Sequence, residues 1–161
     1  MYTNEQFTQY AQKYMDTVFR VAFNYLKNRT DADDITQNVL IKLYHADKEF
    51  ESDTHMKHWL LRVTINECKK VLIAPWKHTE PIEDYANTLS FNTPEHSDLF
   101  YEVMELPKKY RMAVFLYYFE DYSTHEISHI LAIPKSTVMT HLERGRKRLK
   151  TNLLLEANGN V

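Results

Sequence analysis

The sequence predicts an all-α fold, with two small helical domains joined by a flexible linker and the second ending in a helix-turn-helix. Three observations carry this. Among 161 residues only Gly145 and Gly159 are glycine, so few positions take φ > 0 easily and tight hairpins are disfavoured. Apolar residues recur at helical spacing, and no window sustains strand-like alternation. Pro75, Pro81 and Pro94 fall in a stretch without helical period, which reads as a linker. The expected division is residues 1–72, a linker at 73–96, and residues 97–161.

Each element follows from its own signals. Thr3 and Gln6 form a capping box, a hydroxyl at the N-cap and an amide at N3. Phe7, Tyr10, Tyr14, Val18, Val21, Ala22 and Tyr25 then recur at helical spacing through about Leu26. A second helix starts near Asp31, where acidic groups suit the positive end of the helix dipole. Ile35, Val39 and Leu43 share one of its faces. A polar loop, "ADKEFESD", leads to a third helix from about Thr54 to Leu72. In the second half, beginning near Glu95, a short helix ends at Leu106. Pro107 suits the first turn of the next one. Ser123 and Glu126 make a second capping box for a helix ending near Leu131. After the break "AI", Pro134 opens the last helix.

Composition narrows the function classes. The chain is 43% hydrophobic and 26% charged, an ordinary globular balance. Its single cysteine, Cys68, permits no intramolecular disulfide and fits a reducing compartment. Cys68 itself reads as a small buried residue rather than a redox sensor. "MYTNEQFTQY" lacks the basic start and apolar run of a secretory signal, and no stretch of about 18 apolar residues occurs. The net charge of −2 hides an uneven distribution. Residues 61–72 hold 3 basic and 1 acidic side chains, and residues 134–161 hold 6 and 2. Two short basic segments in an acidic chain point to two places that meet a polyanion.

"HEISH", residues 125–129, matches the H-E-x-x-H pattern of zinc metalloproteases. His125 and His129 do share a helix face. A catalytic zinc also needs a third protein ligand and an open position. The extended pattern would require glycine at 132 and histidine at 135, where Ala132 and Lys135 stand. Glu126 is accounted for as the N3 member of a capping box. The pattern is read as coincidence, and no metal or other cofactor is expected.

Two short helices separated by a brief break describe a helix-turn-helix, whose second helix lies in the DNA major groove. At roughly 100° per residue, Val138, Leu142, Gly145 and Leu149 form one narrow seam. Gly145 there lets a neighbouring helix come close. Ser136, Thr140, Glu143, Arg144 and Lys147 cluster on the opposite side. Such side chains read base edges, while Arg146, Arg148 and Lys150 flank the face within reach of phosphates.

The segment "ELPKKYRMAVFLYYFEDYSTHEISHILAIPKSTVMTHLERGRKRL" resembles the −35-reading domain of bacterial sigma factors. "DADDITQNVLIKLY" resembles their polymerase-binding helix, and "HWLLRVTINECKK" the helix that melts and reads the −10 element. The blocks stand in the family's order and span nearly the whole chain. The short linker fits the extracytoplasmic-function type. The resemblance implies a cytoplasmic transcription initiation factor without covalent chemistry of its own. Its partners would be core RNA polymerase, promoter DNA and an anti-sigma factor, with no direct membrane insertion.

Residue roles follow from the same resemblance. Asp34 and Gln37, with Asn38 beside them, would contact the polymerase. Trp59 would pack the first domain. Arg62, Asn66, Lys69 and Lys70 would meet the −10 strand, and the loop at about 46–54 would receive a flipped base. Ser136, Thr137, Thr140, His141, Arg144 and Lys147 would face the −35 element, with phosphate contacts from Lys135, Arg146 and Arg148. Met139 and His141 stand where many members carry basic residues, and Gly145 replaces a common alanine. Both departures, with the acidic balance, imply weak DNA binding without polymerase. The alternatives are a dimeric helix-turn-helix regulator and, remotely, the zinc protease.

Overall fold

Seven helices and no strand make up the described residues of the computed structural model, 2–71 and 94–159, with side chains described over 2–71 and 98–152. The chain divides into two compact units. The division falls within 72–93, outside the described residues, as does the expected linker except for its last three positions. The last expected residue of the third helix, Leu72, also lies outside them.

In the first unit, helices α1 (Asn4–Leu26), α2 (Arg29–Tyr44) and α3 (Asp53–Lys69) pack on one another. The Thr3–Gln6 capping box is formed, with both hydrogen bonds at 3.1 Å. Tyr14, Val18, Val21 and Ala22 are buried as the spacing requires, while Phe7, Tyr10 and Tyr25 are half-buried. α2 begins at Arg29, earlier than the acidic run indicates, because the Asn28 side chain caps the Asp31 N–H at 2.9 Å. Similarly, Ser52 caps the His55 N–H and starts α3 one residue ahead of Thr54. α3 ends at Lys69, before the expected Leu72. Met56, Leu60, Leu61, Ile65 and Cys68 line the core.

The second unit contains α4 (Pro94–Met104), α5 (Lys108–Tyr118), α6 (Thr124–Leu131) and α7 (Lys135–Gly159). α4 starts three residues ahead of the expected boundary at 97. Pro107 occupies the N-cap of α5 rather than its first turn, and its carbonyl accepts from Tyr110 and Arg111. Arg111 is buried and returns a hydrogen bond of 3.0 Å from its guanidinium to the Leu106 carbonyl. That bond satisfies an acceptor left over where the chain leaves α4. The Ser123–Glu126 capping box is formed at 3.0 and 3.1 Å. Val138, Leu142 and Leu149 are buried, so the seam of α7 is its packing face.

α6 ends on Ala132 at φ 56°, with its N–H bonded to the Ser128 carbonyl. The left-handed region costs a non-glycine residue about 1–2 kcal/mol. Glycine removes that cost but adds about 0.5–1 kcal/mol of unfolded-state entropy. Ala132 is exposed, so nothing else is lost. Ala132→Gly is therefore expected to stabilise the second unit by about 0.5–1 kcal/mol. Thermal unfolding of the two chains side by side checks it, and a lowered Tm would contradict this reading of the turn.

Candidate nucleic-acid interface

The first unit offers two distinct exposed faces. On α2 the buried side is Ala32, Ile35, Thr36, Val39 and Leu43. Asp34, Gln37 and Asn38 all lie on the solvent side. Ile41 joins them, 55% exposed, one turn past Gln37 and Asn38 and two past Asp34. Sequence reading missed Ile41. Its signal was an isoleucine on the polar stripe of an otherwise regular amphipathic pattern.

On α3, Arg62, Asn66, Lys69 and Lys70 form one exposed stripe at spacings of four, three and one. Glu67 lies between that stripe and α2. Its carboxylate meets Lys42 Nζ at 2.8 Å and Lys70 Nζ at 3.0 Å. The Lys42 hydrogen bond, aided by Lys70 and opposed by desolvation, holds the Glu67 pKa below the usual carboxylate range. Lys70 is thus partly engaged within the unit, whereas Glu67 remains charged at neutral pH.

The lowered carboxylate has a stability consequence. A pKa depressed on folding stabilises above the unfolded value and loses that effect as pH falls through the folded one. The acid limb of the first unit's stability is therefore expected to flatten in Glu67→Gln, the difference between the two chains shrinking as pH falls below the usual glutamate range. Tm measured across pH 3 to 7 checks this. Parallel curves would show that the Lys42–Glu67–Lys70 group contributes nothing.

The loop before α3 is built on aromatic contacts. The Phe50 ring lies 5.4 Å from both His55 and Trp59, with Lys48 Nζ 5.8 Å from its centroid. The Glu51 N–H donates to His55 Nδ1 at 3.1 Å. Trp59 is half-buried, so it packs the loop onto α3 while leaving part of its ring open. Phe50 is the lone aromatic in "ADKEFESD", the only sign in the sequence that this loop has a platform.

In the second unit, Ser136, Thr140, Arg144 and Lys147 are exposed on α7 opposite its buried seam. Their hydrogen-bonding capacity is not all free. The Thr140 hydroxyl donates to the Ser136 carbonyl at 3.0 Å, leaving its oxygen to accept. Lys147 pairs loosely with Glu143 at 3.4 Å, a contact worth little at such exposure. Lys135 is exposed and Thr137 half-buried. His141 differs from the others. Its ring stands edge-on to Tyr110 at 5.6 Å, and burial, then Lys109 and Arg144, push its pKa down. It is a neutral, half-buried side chain beside the outward face.

The flanking arginines lie on opposite sides of α7. Arg146 lies 5.9 and 5.8 Å over the rings of Tyr117 and Tyr118, and lines a cavity of about 440 Å³ with Leu99, Phe119 and Leu149. Arg148 lies 5.2 Å over Tyr110. The structure thus brings Arg144 and Arg148 together and sets Arg146 apart. Met139 is 55% exposed, with no charge to offer. His125 and His129 of "HEISH" are exposed, and the Glu126 carboxylate is taken up by the cap.

Comparison with known proteins bears on both units. Residues 10–73 match the family described as Sigma-70 region 2, and residues 101–149 match Sigma-70, region 4. The chain is 29% identical over 167 residues to the ECF RNA polymerase sigma factor SigW of Bacillus subtilis, covering 92% of this chain and 89% of that one. Among solved structures it is similar to CnrH in complex with the cytosolic domain of CnrY, with a TM-score of 0.68, 20% identity, and coverage of 96% and 90%. It is also similar to the sigma factor RpoE in complex with the anti-sigma factor NepR from Bartonella quintana. That TM-score is 0.67, with 19% identity and coverage of 94% and 98%.

Proposed function

We infer the role of this chain from one premise: it belongs to the sigma-70 family, in its extracytoplasmic-function class. It is a transcription initiation factor that binds core RNA polymerase and directs it to promoters through the −10 and −35 elements. The observation that carries this is the order of the two regions, region 2 on the first unit and region 4 on the second. A helix-turn-helix regulator acting without polymerase would account for the second unit and leave the first without a role.

The division of labour we propose follows the exposed faces. Residues 1–72 dock on polymerase through Asp34, Gln37 and Asn38, and meet the opened −10 strand through Arg62, Asn66, Lys69 and Lys70. Phe50 and Trp59 supply an aromatic surface for an unstacked base. Unstacking costs a few kcal/mol, and base–aromatic stacking returns about 1–3 kcal/mol. Residues 97–161 read the −35 element through Ser136, Thr137, Thr140, His141, Arg144 and Lys147, with Lys135, Arg146 and Arg148 near phosphates. Residues 73–96 join the two. The chain carries out no covalent chemistry; that step belongs to the polymerase, in the cytoplasm. An anti-sigma factor restrains it, a reading supported by the solved sigma factor complex with NepR.

Separate promoter changes test the division. With polymerase and the chain on a promoter it serves, Asn66→Ala should weaken discrimination at −10 and leave discrimination at −35 intact. Thr140→Ala should do the reverse, by about 1 kcal/mol. Both variants losing the same element would refute the assignment.

A further inference from the structure

Tyr110 lies at the start of α5, and three cations converge on it. Lys109 Nζ is 5.1 Å from its ring centroid and the Arg148 guanidinium 5.2 Å. Arg144, ahead of Lys109 and Arg148, holds the Tyr110 pKa below the usual tyrosine value despite desolvation. The charges acting on neighbouring His141 are again Lys109 and Arg144. No carboxylate acts on either ring, and among the described residues none of the three cations has an acidic partner.

Three positive charges around one ring repel one another, and a π face offsets only part of that. Such an exposed group is favoured further when an anion completes it. The geometry identifies which anion. Arg144 and Arg148 are one turn apart on α7, on the flank of the stripe carrying Thr140 and Lys147. Lys109 adds the positive end of a second helix. A duplex lying along that stripe would bring its backbone to this flank.

We propose that Tyr110 assembles Lys109, Arg144 and Arg148 into a clamp for one backbone phosphate of duplex DNA. Lys109 makes a contact, and Tyr110 is a positioning residue that orders long side chains which would otherwise lose conformational entropy on binding. The clamp rests on the reading of the second unit as the −35-binding one. It adds residues of α5, outside the helix-turn-helix, to the contact surface.

The test uses polymerase with the full chain on promoter fragments carrying the native or a scrambled −35 element, over a salt series. Lys109→Ala is exposed and should fold normally. It should lower affinity by roughly three- to tenfold, by the same factor on both fragments, and reduce the log–log salt slope by about one. Tyr110→Leu should reproduce the affinity loss with every charge retained, whereas Tyr110→Phe, which keeps the ring, should recover most of it. An unchanged affinity and salt slope in Lys109→Ala, with Thr140→Ala still weakening the preference for the native element, overturns the clamp and spares the −35 reading. Equal affinity of the unaltered chain for the two fragments overturns both.

Discussion

Replacing Asp34 and Gln37 together by alanine is expected to lower affinity for core RNA polymerase by at least about thirtyfold, with helix content unchanged. Both side chains are exposed on α2 and support none of its packing, which rests on Ala32, Ile35, Val39 and Leu43. Interface energy concentrates in a few residues costing about 2 kcal/mol or more each when truncated, and 1.4 kcal/mol is tenfold. Asp16, exposed on α1 and away from this stripe, serves as the control, and Asp16→Ala should bind normally. Ile41→Ser should cost less, up to about tenfold, because the exposed isoleucine has apolar area to bury. Direct binding of labelled chain to core enzyme reads all four. Full affinity in the double variant would remove α2 from the interface.

Gly145→Ala destabilises the second unit although alanine is the better helix former. A Cβ at 145 would come within 2.7 Å of Val114 Cγ2, 3.6 Å of Tyr110 Cβ and 3.8 Å of Leu106 Cδ1. The first distance is below any ordinary contact, and Val114 is buried in α5 with a stiff side chain. Overpacking costs about 1–3 kcal/mol, against a helix-propensity gain of about 1 kcal/mol. The net loss is up to about 2 kcal/mol. Val114→Ala makes room, so the double variant should lose less than the two single changes added together. Chemical denaturation of the four chains gives the coupling. Additive losses would show that the close approach of α5 and α7 at Gly145 is not what glycine serves.

These two cases show which parts were legible in the sequence. The seam of Val138, Leu142, Gly145 and Leu149 was read from a single-helix period, and its glycine from the need for close approach. Which side chain that approach meets was not legible, since Val114 is 31 positions away and invisible to periodicity. Both capping boxes were legible because each lies within four residues. The starts of α2 and α3 were missed by one or two residues because Asn28 and Ser52 cap without a box partner. No hairpin occurs among the described residues, as scarce glycine implies, but Lys27 and Ala132 take positive φ at helix C-caps, where their N–H groups are bonded, and Asp121 does so in the connection after α5. The grouping of Lys109, Arg144 and Arg148 on Tyr110 was not legible, because it joins two helices. Sequence spacing placed Arg146 and Arg148 as equivalents; the fold gives them different aromatic partners.

Run-off transcription from a promoter template, with core enzyme and the purified chain, tests the central claim most directly. A transcript of defined start should appear only when both proteins are present, and should fade when either promoter element is scrambled or when Asp34 and Gln37 are both alanine. The same transcript from core enzyme alone, or one indifferent to both elements, would contradict the account.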